Sequence, residues 1–298
     1  MQATLTHNGI SKSLTFPIAS SNGTPLFSVD VGKPELNFYT HGELQPRFLD
    51  TRSGIETYSI TTQFVGPSAY QDAITLADII KSRQGANGTL TFSVSGDNLP
   101  NVYPTSPVTV APGAGQAGAL SLTYPPGTKN VVTVDLGLSR VNDVRGVANQ
   151  EAVTPTNEGS TDGDGNTVRG PLILTDGTTT VDMTENVEIT REVGRPNSTV
   201  RSAVSEYPNY IDQRKTASDT FSIQFRMFKN AQTKVVDLAS NLIQPQLGRE
   251  PLTLNFQGLY GMGSFNVVPN GSQALRYQRT AGSKDIENIP TVSLRRVI

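Results

Sequence analysis

Three groups of side chains in the sequence have the types and spacing for chemistry. The run GAGQAG at 113–118 has the glycine spacing of a dinucleotide-binding turn. That turn needs a helix starting directly after it, because the first helical amides hold the pyrophosphate. Here ALSLTYPPG follows, and its alternation and paired prolines exclude a helix start. Asp162, Asp164 and Asn166 alternate like the opening of a calcium loop, which wants Gly at its sixth position and Glu at its twelfth. Those positions hold Thr167 and Ile173, so a solvated turn is expected, with a weak divalent site as the alternative. Asp50 and Glu56 could be read as the paired carboxylates of a glycoside hydrolase. Beyond these the inventory is short. Cysteine and tryptophan are absent and the only histidines are His7 and His41. Disulfides, thiolate metal sites and a cysteine nucleophile are thereby excluded. No Gly-x-Ser-x-Gly elbow, His-Glu-x-x-His pair or phosphate-binding loop occurs. The expectation is a non-enzymatic protein without a cofactor.

The elements that must carry these residues are β-strands. The 298 residues suffice for one large or two medium domains. Lys plus Arg is 24 and Asp plus Glu is 26, a net charge of −2, which excludes a strongly basic nucleic-acid binder and a polyacidic tail. No apolar run approaches the roughly 20 residues of a membrane helix. The opening MQATLTHNGI has no basic segment followed by an apolar stretch, so no secretory leader is expected. Thr, Val, Ser, Gly, Asn and Pro dominate, in short alternating runs bounded by turn dipeptides. Asn8-Gly9, Asn22-Gly23, Asn87-Gly88, Asp176-Gly177 and Asn270-Gly271 fit turns with positive φ. Asn22, Asn87, Asn197 and Asn270 also open glycosylation sequons, and turn chemistry is the expected reading of them.

The chain matches itself. DVGKP at 30–34 corresponds to EVGRP at 192–196, an offset of 162 that aligns Gly32 with Gly194 and Pro34 with Pro196. The same offset aligns Asp50 and Arg52 with Asp212 and Arg214, and Leu76-Ala77 with Leu238-Ala239. It also aligns LTFSVSG at 90–96 with LTLNFQG at 252–258, so that Gly96 meets Gly258. ETYSI at 56–60 pairs with DTFSI at 219–223 at offset 163. Val110-Ala-Pro112 pairs with Val267-Val-Pro269 at 157, Val134-x-Leu136 with Val292-x-Leu294 at 158, and Asn8-Gly9 with Asp176-Gly177 at 168. The series is collinear, which points to duplication. Glu56 thus has a copy in Asp219 and Asp50 in Asp212. Catalytic residues are rarely copied intact into both halves, whereas structural ion pairs are, and the Asp-x-Arg elements read as devices pinning a loop.

Each repeat reads as a hairpin, a strand ending at Val-Gly-base-Pro, an irregular arm (33–54 and 195–217), and a strand (57–64 and 220–228). A helix then follows (68–83 and 231–243), and after it two to four more strands, including 89–95 and 253–257, closing at 131–138 and 291–297. Ala73, Leu76, Ala77 and Ile80, mirrored by Val235, Leu238, Ala239 and Leu242, form the apolar stripe of a helix with one face on a core. The Pro- and Gly-rich stretch 97–127 is expected to be an exposed loop insertion. Residues 146–170, including NEGSTDGDGNTVRG, read as a linker. The expected fold is mainly β: two tandem similar β-barrel or sandwich domains, 1–145 and 171–298, each with one packed α-helix.

A strand such as ETYSITTQF or DTFSIQFRM, a long arm before it, a single helix after it, then a glycine turn and an LTF or LTL strand, resembles the tail-tube fold of long-tailed viruses. Tail-tube, distal-tail and baseplate-hub proteins of phages and archaeal viruses share that fold. The resemblance covers 3–145 and 171–298 and brings no active-site signature. It implies a structural virion protein: single-domain members form hexameric rings, and tandem-duplicated members form trimers that imitate hexamers. Two similar domains in one chain present similar sheet edges, so head-to-tail pairing can close a ring. Six domains giving four strands each would make a 24-strand barrel of roughly 48 Å backbone diameter, wide enough for a DNA duplex. A nearly neutral bore would let the duplex pass, where a basic one would hold it.

The expected function is a tail component, foremost the tail-tube subunit, with baseplate hub or distal-tail adaptor as alternatives. Its partners would be further copies of itself, other tail proteins, and genomic DNA passing without specific binding, with no membrane. Its place would be the virion tail, assembled in the host cytoplasm. The rival from another class is a two-domain β-sandwich that binds carbohydrate or a host surface. The missing tryptophan counts against it, since sugar-binding faces commonly use aromatic platforms. A hydrolase stands third. Arg outnumbers Lys sixteen to eight, as suits an assembly surface.

Overall fold

The structure, a computed structural model, describes residues 1–18, 27–32, 35–38, 47–50, 55–82, 88–97, 99, 103–113, 119–127, 129–142, 144–146, 172–183, 185–194, 198–200, 209–212, 218–226, 237–243, 251–271, 274–279 and 288–297. It is mainly β, and sixteen of its strands lie in one antiparallel sheet. The first half contributes β1 (Gln2–His7), β2 (Lys12–Pro17), β3 (Phe27–Gly32), β4 (Glu35–Phe38), β5 (Arg47–Asp50), β6 (Ile55–Val65), helix α1 (Ala69–Lys81), β7 (Leu90–Ser95), β8 (Val108–Pro112), β9 (Leu120–Tyr124), β10 (Val131–Arg140) and β11 (Val144–Gly146). The second contributes β12 (Leu172–Thr175), β13 (Thr180–Met183), β14 (Glu185–Gly194), β15 (Ser198–Val200), β16 (Asn209–Asp212), β17 (Ser218–Arg226), a π-helical segment (Asp237–Ile243), β18 (Leu252–Asn255), β19 (Ser264–Pro269), β20 (Leu275–Arg279) and β21 (Asn288–Arg296).

Period-two alternation places one face of each long strand in the core. In β6 the even residues from Glu56 to Phe64 are buried, and the odd ones from Thr57 to Val65 are exposed or half-buried. In α1 the expected stripe of Ala73, Leu76, Ala77 and Ile80 is buried, and so are Ala69, Ile74 and Ile79 on its other sides. The helix is covered nearly all round because it touches β6, β9 and β10 of the first half and β14 of the second. Asp72 in its first turn and Lys81 in its last complement the helix dipole. The buried Asp78 accepts from Lys12 Nζ at 2.7 Å.

The pairing order of the first half recurs in the second. It runs β2-β1-β7-β8-β10-β6-β3 and then β13-β12-β18-β19-β21-β17-β14. Residue by residue, Phe27 faces Ile60 as Ile189 faces Ile223, and Leu90 faces Val110 as Leu252 faces Val267. One alignment is corrected. Leu138 faces Tyr58 and Leu294 faces Phe221. The strands β10 and β21 therefore correspond at an offset of 156, not 158. A two-residue slip leaves every side chain on the same face, so alternation alone cannot detect it.

Other expectations change too. The arms are not irregular throughout: β4 pairs with β5, and β15 with β16. Strands of three or four residues are too short for alternation to reveal. β11 pairs parallel with β16, so Gly146 lies in a strand and not in a linker. Stretch 97–127 is no mere exposed insertion, since it supplies β8 and β9 with Val110, Ala111, Leu120, Leu122 and Tyr124 buried. Of the second expected helix, 231–243, the described part is the π-helical segment, with Leu238 and Leu242 buried and Ala239 only partly so. At Asn8-Gly9 the chain makes a 3-10 turn whose positive φ falls on Ser11, at 52°. Gly88, Gly177 and Gly271 do take positive φ.

Candidate functional site

The residues singled out by the sequence scatter. Gly32 and Gly194 end β3 and β14 at equivalent positions, and Asp50 and Asp212 end β5 and β16. Gly96 and Gly258 both follow a strand with positive φ, 152° and 77°. Pro34, Arg52, Pro196, Arg214 and the Asp162–Asp164–Asn166 triad lie outside the described residues, as do the side chains of Asp50 and Asp212. Among the described residues no three His, Cys, Asp or Glu side chains gather as metal ligands. GAGQAG runs into strand β9, not a helix.

What the structure brings together is a seam between the halves. β9 lies between β10 of its own half and β14 of the other, and the β9–β14 ladder is antiparallel: Val193 faces Leu120, Glu192 faces Ser121, Arg191 faces Leu122, Thr190 faces Thr123 and Ile189 faces Tyr124. Alternation fixes the faces. Ile189, Arg191 and Val193 point into the core with Leu120, Leu122 and Tyr124, while Glu192 is exposed and Thr190, Ser121 and Thr123 are half-buried on the other side.

Arg191 is fully buried (0% exposed). Its Nε donates to Asp219 Oδ1 at 2.9 Å and its Nη2 to Oδ2 at 2.6 Å, a bidentate pair. The guanidinium also lies 5.4 Å from the ring centres of Phe221 and Phe265. Lys81 at the end of α1 reaches across the seam to Asp219 Oδ2 at 3.6 Å, and Arg296 stands at 3.6 Å on the other side. Burial pushes the Asp219 carboxyl up. The charge and hydrogen bonds of Arg191, with Lys81 and Arg296 beyond it, outweigh that and hold the group below its ordinary value. The first half has a simpler version: Glu56 accepts from Arg140 Nη1 at 2.9 Å and from the Tyr58 hydroxyl. Arg140 and Arg296 are equivalent, as are Glu56 and Asp219. Val29 stands where Arg191 does.

A second contact closes the seam over the helix. Tyr70 of α1, Tyr124 of β9 and Tyr260 of the second half cluster, with ring centres 4.7 Å apart for Tyr124–Tyr260 and 5.4 Å for Tyr70–Tyr260. Burial, and then Tyr70 beside it, push the Tyr260 hydroxyl up to about 12. Gly261 beside them takes the left-handed φ of 71°; a Cβ there would make ordinary van der Waals contact with Ile74 Cδ1 at 3.4 Å and Tyr70 Cβ at 3.6 Å.

The seam joins two four-strand ribbons into one of eight, β3-β6-β10-β9-β14-β17-β21-β20, every neighbour antiparallel. Its solvent-facing side is rich in Ser and Thr. Thr61 Oγ1 donates to Asp135 Oδ1 at 2.6 Å, and the Thr123 and Thr190 hydroxyls meet across the seam at 3.5 Å. Its described charges nearly balance, with Asp30, Asp135, Glu188 and Glu192 against Arg226, Arg276 and Arg295. Among the described residues β3 pairs only with β6 and β20 only with β21, so the ribbon ends in one open edge at each side.

Sequence reasoning missed Arg191, Lys81 and the tyrosine cluster. Arg191 did carry a signal: it is a charge at the inward register of Val187, Ile189 and Val193. No family model matches the chain, and no curated protein matches it significantly.

Proposed function

We propose that the chain is a structural viral tail protein, foremost the tail-tube subunit, whose copies close into a ring around the genome channel. The observation that carries this reading is the likeness between the internal seam and the two ends of the ribbon. β14 and β9 meet inside the chain, and among the described residues their counterparts β3 and β20 are the edges left open. A chain built from two copies of one module, each with the same pair of edges, has no natural stop until the sheet closes on itself. Three chains supply 24 strands, and at ~4.8 Å spacing and ~40° tilt these close at a backbone diameter of roughly 48 Å.

The surface chemistry supports the same reading. The core face of the ribbon is covered by α1 and the remaining strands, so the Ser- and Thr-rich face is the one left for the bore. Its balanced charges offer a DNA duplex no continuous basic track to bind. Baseplate hub and distal-tail adaptor share this geometry and differ in where the ring sits. Negative-stain microscopy of the purified full chain tests the reading: annuli or stacked tubes with a central hole are expected. Compact single particles at every concentration would overturn it.

A further inference from the structure

We propose that β20 of one copy pairs antiparallel with β3 of the next, in a register that sets Leu275 opposite Val31 and Arg276 opposite Asp30. This rests on the ring reading above and gives it atoms. The register follows from the internal seam. Val193 faces Leu120 there, and Glu192 faces Ser121. On β3 the counterparts of Val193 and Glu192 are Val31 and Asp30, because both strands hold the same places against β6 and β17. On β20 the counterparts of Leu120 and Ser121 are Leu275 and Arg276. Leu120 faces Leu136 and Leu275 faces Val292, and those two residues are themselves equivalent at offset 156.

Burial agrees with the register. Val193, covered by β9, is 0% exposed, whereas Val31, with nothing described beyond it, is 69% exposed. Val31 is thus an apolar side chain at an inward register position that lacks its cover. Leu120 is fully buried and Leu275 only half so. One added strand would cover both. Charge agrees as well. The internal seam has no opposite-charge rung, its Glu192 facing Ser121, but the same register between copies sets exposed Asp30 against exposed Arg276. Opposite charges facing across a ladder favour pairing and like charges oppose it. The occupant is therefore a second copy of this chain, taken head to tail. A two-fold pairing of β3 with β3 would leave Arg276 and Leu275 without their complements.

The absence of cysteine makes the test direct. In the full chain, Val31→Cys with Leu275→Cys under mild oxidation should give a covalent ladder ending at a closed species three chains in size. Ser28→Cys with Leu275→Cys, three residues out of register, should give none. Independently, Asp30→Arg should reduce the assembled fraction about tenfold, and Asp30→Arg with Arg276→Asp should restore it. Both positions are exposed, and circular dichroism checks that the variants fold. Annuli in the microscope without a Val31–Leu275 crosslink overturn this seam and leave the ring reading standing. Crosslinks that build open filaments keep the seam and overturn the ring. Crosslinking by Val31→Cys alone into a two-chain species overturns the seam in favour of two-fold pairing.

Discussion

Arg191 sits where an apolar residue would be expected and where the first half has Val29. A buried guanidinium is tolerable only because Asp219 meets it with two hydrogen bonds and two aromatic rings flank it. Removing one partner should therefore be much worse than removing both. Arg191→Ala is expected to cost about 3–5 kcal/mol in denaturant unfolding, since it removes both hydrogen bonds to the buried Asp219 carboxylate and leaves it only the longer ion pairs with Lys81 and Arg296. Arg191→Met combined with Asp219→Leu should recover most of that loss. The pair also sets an acid limit. Asp219 is depressed below its unfolded value of 3.8, so its contribution is complete above about pH 4 and is lost as pH falls through the lower folded value. Asp219→Asn should flatten the stability curve below about pH 4, measured by thermal unfolding at successive pH values. An unchanged acid slope would assign the acid sensitivity to other carboxylates.

The elements were legible where a local period is long enough to speak. β6 and β17, β7 and β18, and the helix α1 follow from alternation and from the 3.6-residue stripe. The arms' hairpins did not, because RFLD or STV is too short to show a period. Nor did the two-residue register error between β10 and β21, since both registers keep the same face inward. The seam was the least accessible: pairing of β9 with β14 joins segments 65 or more residues apart, and no local pattern encodes it. Glycines show the same limit. Gly88 was readable as a turn, but not that its turn presses on another. A Cβ there would lie 2.4 Å from the amide nitrogen of Gly9, and the backbone is at φ 105°. Gly88→Ala is expected to destabilise by at least about 1–3 kcal/mol from the backbone conformation alone, with the contact adding to it. Gly127→Ala shares the positive φ, at 71°, but meets nothing within 4 Å. It should cost less, and a comparison of melting temperatures measures the difference. Equal losses at the two sites would show that the Gly9 contact relaxes without cost.

At the scale of the proposed assembly, the seam within the chain and the seam proposed between chains differ in what holds them. Within the chain, the joint has a buried ion pair, a lysine crossing from α1 and a cluster of three tyrosines. Between chains, the proposed joint has Val29 in place of Arg191, so beside it stands only the simpler Glu56–Arg140 pair. It relies on backbone hydrogen bonds, the Val31–Leu275 contact and the exposed Asp30–Arg276 rung. Salt therefore discriminates between them. The screening length falls from about 10 Å at 0.1 M to about 3 Å at 1 M, which weakens an exposed pair and hardly touches a buried one. Raising salt should weaken association between chains roughly two- to fivefold, as suits the loss of one exposed pair, without lowering the melting temperature of the single chain. Sedimentation velocity across that range reads the first quantity and calorimetry on dilute protein the second. The Asp30→Arg with Arg276→Asp double variant should show the same salt response, because reversal preserves the attraction. Replacing both by Asn should abolish it. A salt response that survives the Asn pair would place the electrostatic contact elsewhere on the open edges and would require a different register between β20 and β3.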